Sequence, residues 1–107
     1  KDILTGGSKA DQFIYQSIND SGTTGATRDV ITDFAGADKI NLSKIDADQG
    51  ISGNQELVFI GSDSFSGAGQ VRFNNGILSV NTDDDLTADM QIKLFGVTTF
   101  DKTSLIL

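Results

Sequence analysis

The chain has 107 residues, enough for one domain with a modest core and too few for several. Eight Lys and Arg against fifteen Asp and Glu leave a net charge of −7, which argues against nucleic acid or an anionic membrane surface as a partner. With neither His nor Cys, this chain cannot assemble an imidazole zinc site, a Ser-His-Asp triad, a thiol nucleophile or a disulfide framework, so no catalytic residues are assigned to it.

No apolar run reaches the length of a membrane span, so no membrane insertion is expected, and no N-terminal signal peptide is evident. Fourteen of the fifteen acids are Asp, which prefers turns and caps to helix interiors. Twelve Gly and no Pro fit short strands joined by permissive turns.

The first predicted element is a glycine turn. Gly6-Gly7-Ser8-Lys9-Ala10-Asp11-Gln12-Phe13 follows the calcium-binding nonapeptide GGxGxDxUx, with Lys9 in the place of the third glycine. Calcium takes about six to eight oxygen ligands at roughly 2.3–2.6 Å, and a turn offers its carbonyls only where residues reach positive φ. Asp2 lies nine residues before Asp11, and Leu4 and Phe13 each follow two places later, where a strand points them inward. One nonapeptide is half a coil, so an ion is expected to be shared between turns stacked eighteen residues apart. Asp20, Asp29 and Asp38 continue the nine-residue series. Ile31 and Ile40 keep the apolar place, and Gly22 breaks it.

Gln12 to Tyr15 reads as a short strand and Ser17 to Arg28 as a polar loop. Asp29 to Phe34 is a β-branched strand, with Asp33 serving its turn. Lys39 to Ser43 alternates with Ile40 and Leu42 facing the core, Ser43 caps a short turn through Asp46, and Asp48 to Asn54 is loop. Leu57 to Ile60 is a strand, and Gly61 to Gly69 a loop. Gln70 to Asn74 and Ile77 to Val80 form a hairpin on Asn75-Gly76, the pair that suits a type I′ turn. Met90 to Phe95 alternates with Gln91 and Lys93 outward, Thr99 to Thr103 forms one helical turn, and Leu105 to Leu107 is an apolar end. The pattern is all-β.

Asn81 to Asp89 places oxygens at the first, third, fifth and ninth positions of an EF-hand loop. It has Leu86 for the turn glycine and Ile92 for the bidentate Glu, so a solvated acidic loop is favoured over a metal site at Asp83, Asp85 and Asp89. Asp20-Ser21-Gly22 matches the aspartic-protease signature. It lacks the apolar flanks that would bury a carboxylate pair, so that reading is set aside.

The run from Gly6 to Tyr15 is similar to the last repeat of RTX proteins. The blocks Asp29 to Ser43, Phe65 to Phe73 and Ala88 to Leu94, and the close from Asp101 to Leu107, resemble the C-terminal domain of serralysin-type metalloproteases. The resemblance implies the end of a parallel, calcium-binding β-roll continuing into an antiparallel β-sandwich cap. It divides a single domain at residues 1–18, 19–43 and 44–107. It implies calcium held by backbone oxygens of Gly6, Gly7, Ser8 and Lys9, by the Asp11 carboxylate, and by Asp20, Asp29 and Asp38. The best-furnished site is that of Asp11, closed by Asp29 with Asp38 as a further candidate, because Asp2 belongs to a coil that this chain mostly lacks.

As function, the resemblance implies a non-catalytic module giving calcium-dependent folding and export. Its partners are its own N-terminal catalytic or repeat domain and a type I secretion ABC transporter that reads the C-terminus. Its location is extracellular. The alternative is an RTX-type module binding polysaccharide or a surface, for which one Tyr, no Trp and few cations offer little.

Overall fold

The structure is a computed structural model, and it describes residues 3–7, 10–35, 37–45, 56–83 and 85–107. The strands in chain order are β1 (Ile3–Leu4), β2 (Gln12–Ile14), β3 (Asp29–Ile31), β4 (Lys39–Asn41), β5 (Val58–Phe59), β6 (Gln70–Asn74), β7 (Ile77–Asn81), β8 (Met90–Leu94) and β9 (Leu105–Ile106). Among the described residues the helices are two single 3-10 turns, Ile18–Asp20 and Lys102–Ser104. Asp2, Ser8, Lys9 and the loop expected at Asp48 to Asn54 lie outside the described residues.

Six strands form one sheet in the order β1-β3-β8-β7-β6-β5, and three form a second in the order β2-β4-β9. From β1 to β4 successive strands alternate between the two sheets, and β8 and β9 do so again. Every pairing that this alternation creates is parallel: β1 with β3, β3 with β8, β2 with β4, and β4 with β9. Antiparallel pairing is confined to β6, β7 and β8, and β5 joins β6 in parallel. The expectation of an antiparallel sandwich for residues 44–107 is corrected accordingly. β8 and β9 leave their own half of the chain and complete the rows begun by β3 and β4, because those two rows otherwise end in unpaired backbone groups.

The faces follow the sequence. Ile31, Ile40, Leu42, Val71, Leu78, Val80, Met90, Ile92 and Leu94 are fully buried between the sheets, and Gln91 and Lys93 point the other way. Each such aliphatic side chain contributes about 1.5–3 kcal/mol of transfer free energy. The hairpin turn is type I′, with φ of 53° at Asn75 and 77° at Gly76. The strand expected to reach Phe95 stops at Leu94: Phe95 is exposed, and Gly96, at φ 76°, turns the chain away. The C-terminal turn forms at Lys102–Ser104 rather than Thr99 to Thr103, because Asp101 is its cap and accepts from Thr103 N at 3.2 Å.

Candidate metal centres

The parallel pairing sets which turns meet. Ile3 faces Val30 and Phe13 faces Ile40, so the two coils are offset by 27 residues, not the expected eighteen. The extra nine lie in the excursion between β2 and β3. There Ser17 and Asp20 form a reciprocal capping box around the 3-10 turn: Ser17 Oγ accepts from Asn19 N, and Asp20 Oδ2 from Gln16 N and Ser17 N. Gly22, which lacks the apolar side chain of its place in the series, belongs to this excursion. Its carbonyl accepts from Gln91 N instead.

With that offset, Thr5, Gly6, Gly7 and Asp11 meet Thr32, Asp33 and Asp38. Thr5 and Thr32 hydroxyls meet at 2.7 Å. Asp33 accepts from Gly6 N at 2.9 Å on one oxygen and from Gly7 N at 2.8 Å on the other. Asp38, buried, accepts from Asp11 N at 2.9 Å and from Ala35 N at 3.0 Å, and Lys39 N donates to Asp11 O at 2.8 Å. The register thus puts Asp38, rather than Asp29, beside Asp11. Gly7 sits at φ 94°, as a turn that offers its carbonyls requires.

Asp11 carries the informative atom. Its Oδ2 is buried and is, among the described residues, the one buried side-chain oxygen or nitrogen without a hydrogen-bond partner. A Cβ on Gly6 would lie 2.5 Å from that oxygen, so only glycine allows the carboxylate to fold over the turn. An unsatisfied buried acceptor costs about 1–3 kcal/mol, and more if charged. A cation among the turn oxygens removes that cost, and the donor set of carboxylates and glycine-turn carbonyls fits a hard ion such as calcium.

Asp29 and Asp20 are placed elsewhere. Asp29 is buried on the inner face of β3, where its Oδ2 accepts from Tyr15 OH at 3.2 Å and its N–H donates to Ser21 Oγ at 2.8 Å. Both acids line a cavity of about 430 Å³ with Leu4, Gln12, Phe13, Ile14 and Tyr15. The exposed Asp20, tied to its own 3-10 turn, has none of the burial an aspartic-protease carboxylate needs.

A third acidic group forms in the loop after β7. Oxygens of Asp83, Asp85 and Asp89 all lie within 4.8 Å of one another. Asp89 accepts from Thr82 N at 2.8 Å, and Asp85 accepts from Thr87 Oγ1 at 2.7 Å. Loss of solvent, with Asp85 and Asp89 nearby, raises the Asp83 carboxyl above its ordinary value. The Thr87 hydroxyl and N–H lower that of Asp85. The loop for which the sequence favours solvation over a metal site gathers three carboxylates close enough that they could hold a cation.

Asp33 is the residue whose role the sequence did not give, because its partners lie 26 and 27 residues away. The Gly6 and Gly7 N–H groups hold its carboxyl below the usual value. A folded-state value depressed in this way supports the fold above the unfolded carboxylate value, about 3.9, and that support is lost as pH falls through the lower folded value. In melts with excess chelator, the gap between wild type and Asp33→Ala is expected to close as pH drops below about 4. A gap that stays constant to the acid limit contradicts the assignment.

The chain is mostly β, with parallel strands alternating between two sheets and acidic side chains gathered at the turns between them. The family model described as peptidase M10 serralysin C terminal matches residues 1–107, and the chain belongs to that family. It is thus a serralysin-type C-terminal domain, which is not the catalytic part of that family. A comparison with curated proteins gave no significant match.

Proposed function

We propose that this domain is a calcium-dependent folding and export module of a secreted, serralysin-like metalloprotease. The observation that carries the reading is the buried, unpartnered Asp11 Oδ2 against Gly6, beside the buried Asp38. Asp11 and Asp38, with backbone oxygens of Gly6, Gly7, Ser8 and Lys9, form the principal site. Asp20 and Asp29 supply ligands at the cavity they share, and Asp83, Asp85 and Asp89 form a separate site in the β7–β8 loop. The whole chain acts as one unit. Residues 1–18 end a β-roll, 19–43 close its turns, and 44–107 furnish both the strands that complete the rows and the C-terminal signal read by a type I ABC transporter.

In low calcium the net charge of −7 and the clustered carboxylates oppose compaction, which keeps the chain fit for export. In the extracellular medium an ion neutralises the turns, and binding free energy becomes folding free energy. No helix among the described residues is long and apolar enough to cross a membrane.

Far-UV circular dichroism of the chelated chain is expected to gain β signal on addition of millimolar calcium, with magnesium far less effective, because magnesium demands a tighter octahedral shell. Identical spectra in chelator and in calcium overturn the reading.

A further inference from the structure

Strand β4 stands between the candidate calcium turn and the last strand of the chain. On one side, its entry is fixed by Asp38, which accepts from Asp11 N, and by Lys39 N, which donates to Asp11 O. On the other side it carries β9: Ile40 pairs with Leu105 and Asn41 with Ile106, and Leu42 N donates to Ile106 O at 2.8 Å. The Lys39 ammonium also donates to Thr103 O, at the head of that strand. In the order β2-β4-β9, strand β9 has β4 as its one neighbour within the sheet among the described residues. In that pairing Leu105 is buried in the core cluster.

From this arrangement we infer that ion binding at the Asp11 and Asp38 turn and docking of β9 are coupled through β4. This inference rests on the calcium reading above. Without an ion, Asp11 Oδ2 stays buried with no partner in the same residue whose N–H is held by the Asp38 carboxylate that positions β4, and the turn gains by opening. Opening releases Asp38, and with it the register in which β4 receives Leu105 and Ile106. With an ion the turn is locked, β4 is fixed, and the C-terminal stretch is withdrawn into the sheet. The physical link is a contiguous strand with hydrogen bonds on both edges.

Coupling is reciprocal, so whatever factor calcium adds to β9 docking, β9 must add to calcium affinity. Hydrogen exchange on the full chain tests the first half. Adding calcium is expected to slow exchange at Leu42, Ile106 and Asp11 together, by about tenfold or more, and to slow the β6–β7 hairpin amides less. Calorimetry on Leu105→Ala tests the second half, with calcium affinity falling by a similar factor.

A chain that gains β signal with calcium while Leu42 and Ile106 exchange no differently, or only in step with the hairpin, overturns the coupling and leaves the calcium reading standing. Unchanged affinity in Leu105→Ala overturns it as well. If no β signal is gained, the calcium reading itself fails.

Discussion

Asp38→Ala is expected to destabilise the calcium-loaded chain by about 3–5 kcal/mol, and to remove most of the difference between calcium and chelator. Asp38 is 2% exposed and accepts from two backbone donors, Asp11 N and Ala35 N. Removing it strands both donors, each at about 1–3 kcal/mol. It also takes a charge away from the ion bound beside Asp11. Asp38→Asn keeps an acceptor for one N–H and loses the charge, so it separates the two contributions: its loss in chelator is small and its loss in calcium is large. Urea unfolding of wild type and both variants, each with and without calcium, measures all four terms. Equal losses in both solutions would mean that Asp38 is a turn residue with no part in ion binding.

The second large effect is at Phe100, which sits among three other rings. Its centroid lies 5.7 Å from Phe34, 5.8 Å from Phe59 and 5.2 Å from Phe73, and Phe34 in turn meets Phe13 at 6.4 Å. These rings come from β2, the turn after β3, β5 and β6, so one side chain from the β8–β9 connection ties both halves of the chain together. Phe100→Ala is expected to cost about 3 kcal/mol, the low end of the usual range for a buried Phe because Phe100 is only half-buried. Phe100→Leu should recover about half of that, since it restores apolar volume without the ring contacts. Thermal melting in calcium checks both, and a Phe100→Ala chain as stable as wild type would show that the cluster merely fills space.

What could be read from the sequence was what depends on neighbours in the chain. The alternation Lys39-Ile40-Asn41-Leu42 placed Ile40 and Leu42 inside, where both are fully buried. Asn75-Gly76 fixed the hairpin turn through a φ requirement local to two residues. Partners were another matter. Alternation states which face a residue takes and is silent on which strand lies beside it, so the pairing of Asp29 with Ile92 and of Ile40 with Leu105 could not be seen.

The nine-residue Asp series misled for a related reason. It counts residues along the chain, while a site depends on which turns stack, and the Ser17 to Arg28 excursion moved that offset by one full unit. Gly22 was the local sign, the one place in the series with no side chain to bury. Asp33 acquired its role from the same stacking, since its acceptors face N–H groups of a turn that no local rule connects to it.

We propose that a bound cation supplies the partner that the buried Asp11 Oδ2 lacks and so holds the fold together. This is tested most directly by melting the wild-type chain and Asp11→Asn in chelator and in calcium. The account predicts a rise in wild-type melting temperature of about 10 °C or more with calcium, as a stabilisation of about 2–3 kcal/mol implies for a domain of this size, and only a small rise in Asp11→Asn. Equal calcium-dependent rises in the two chains, or none in wild type, would contradict it.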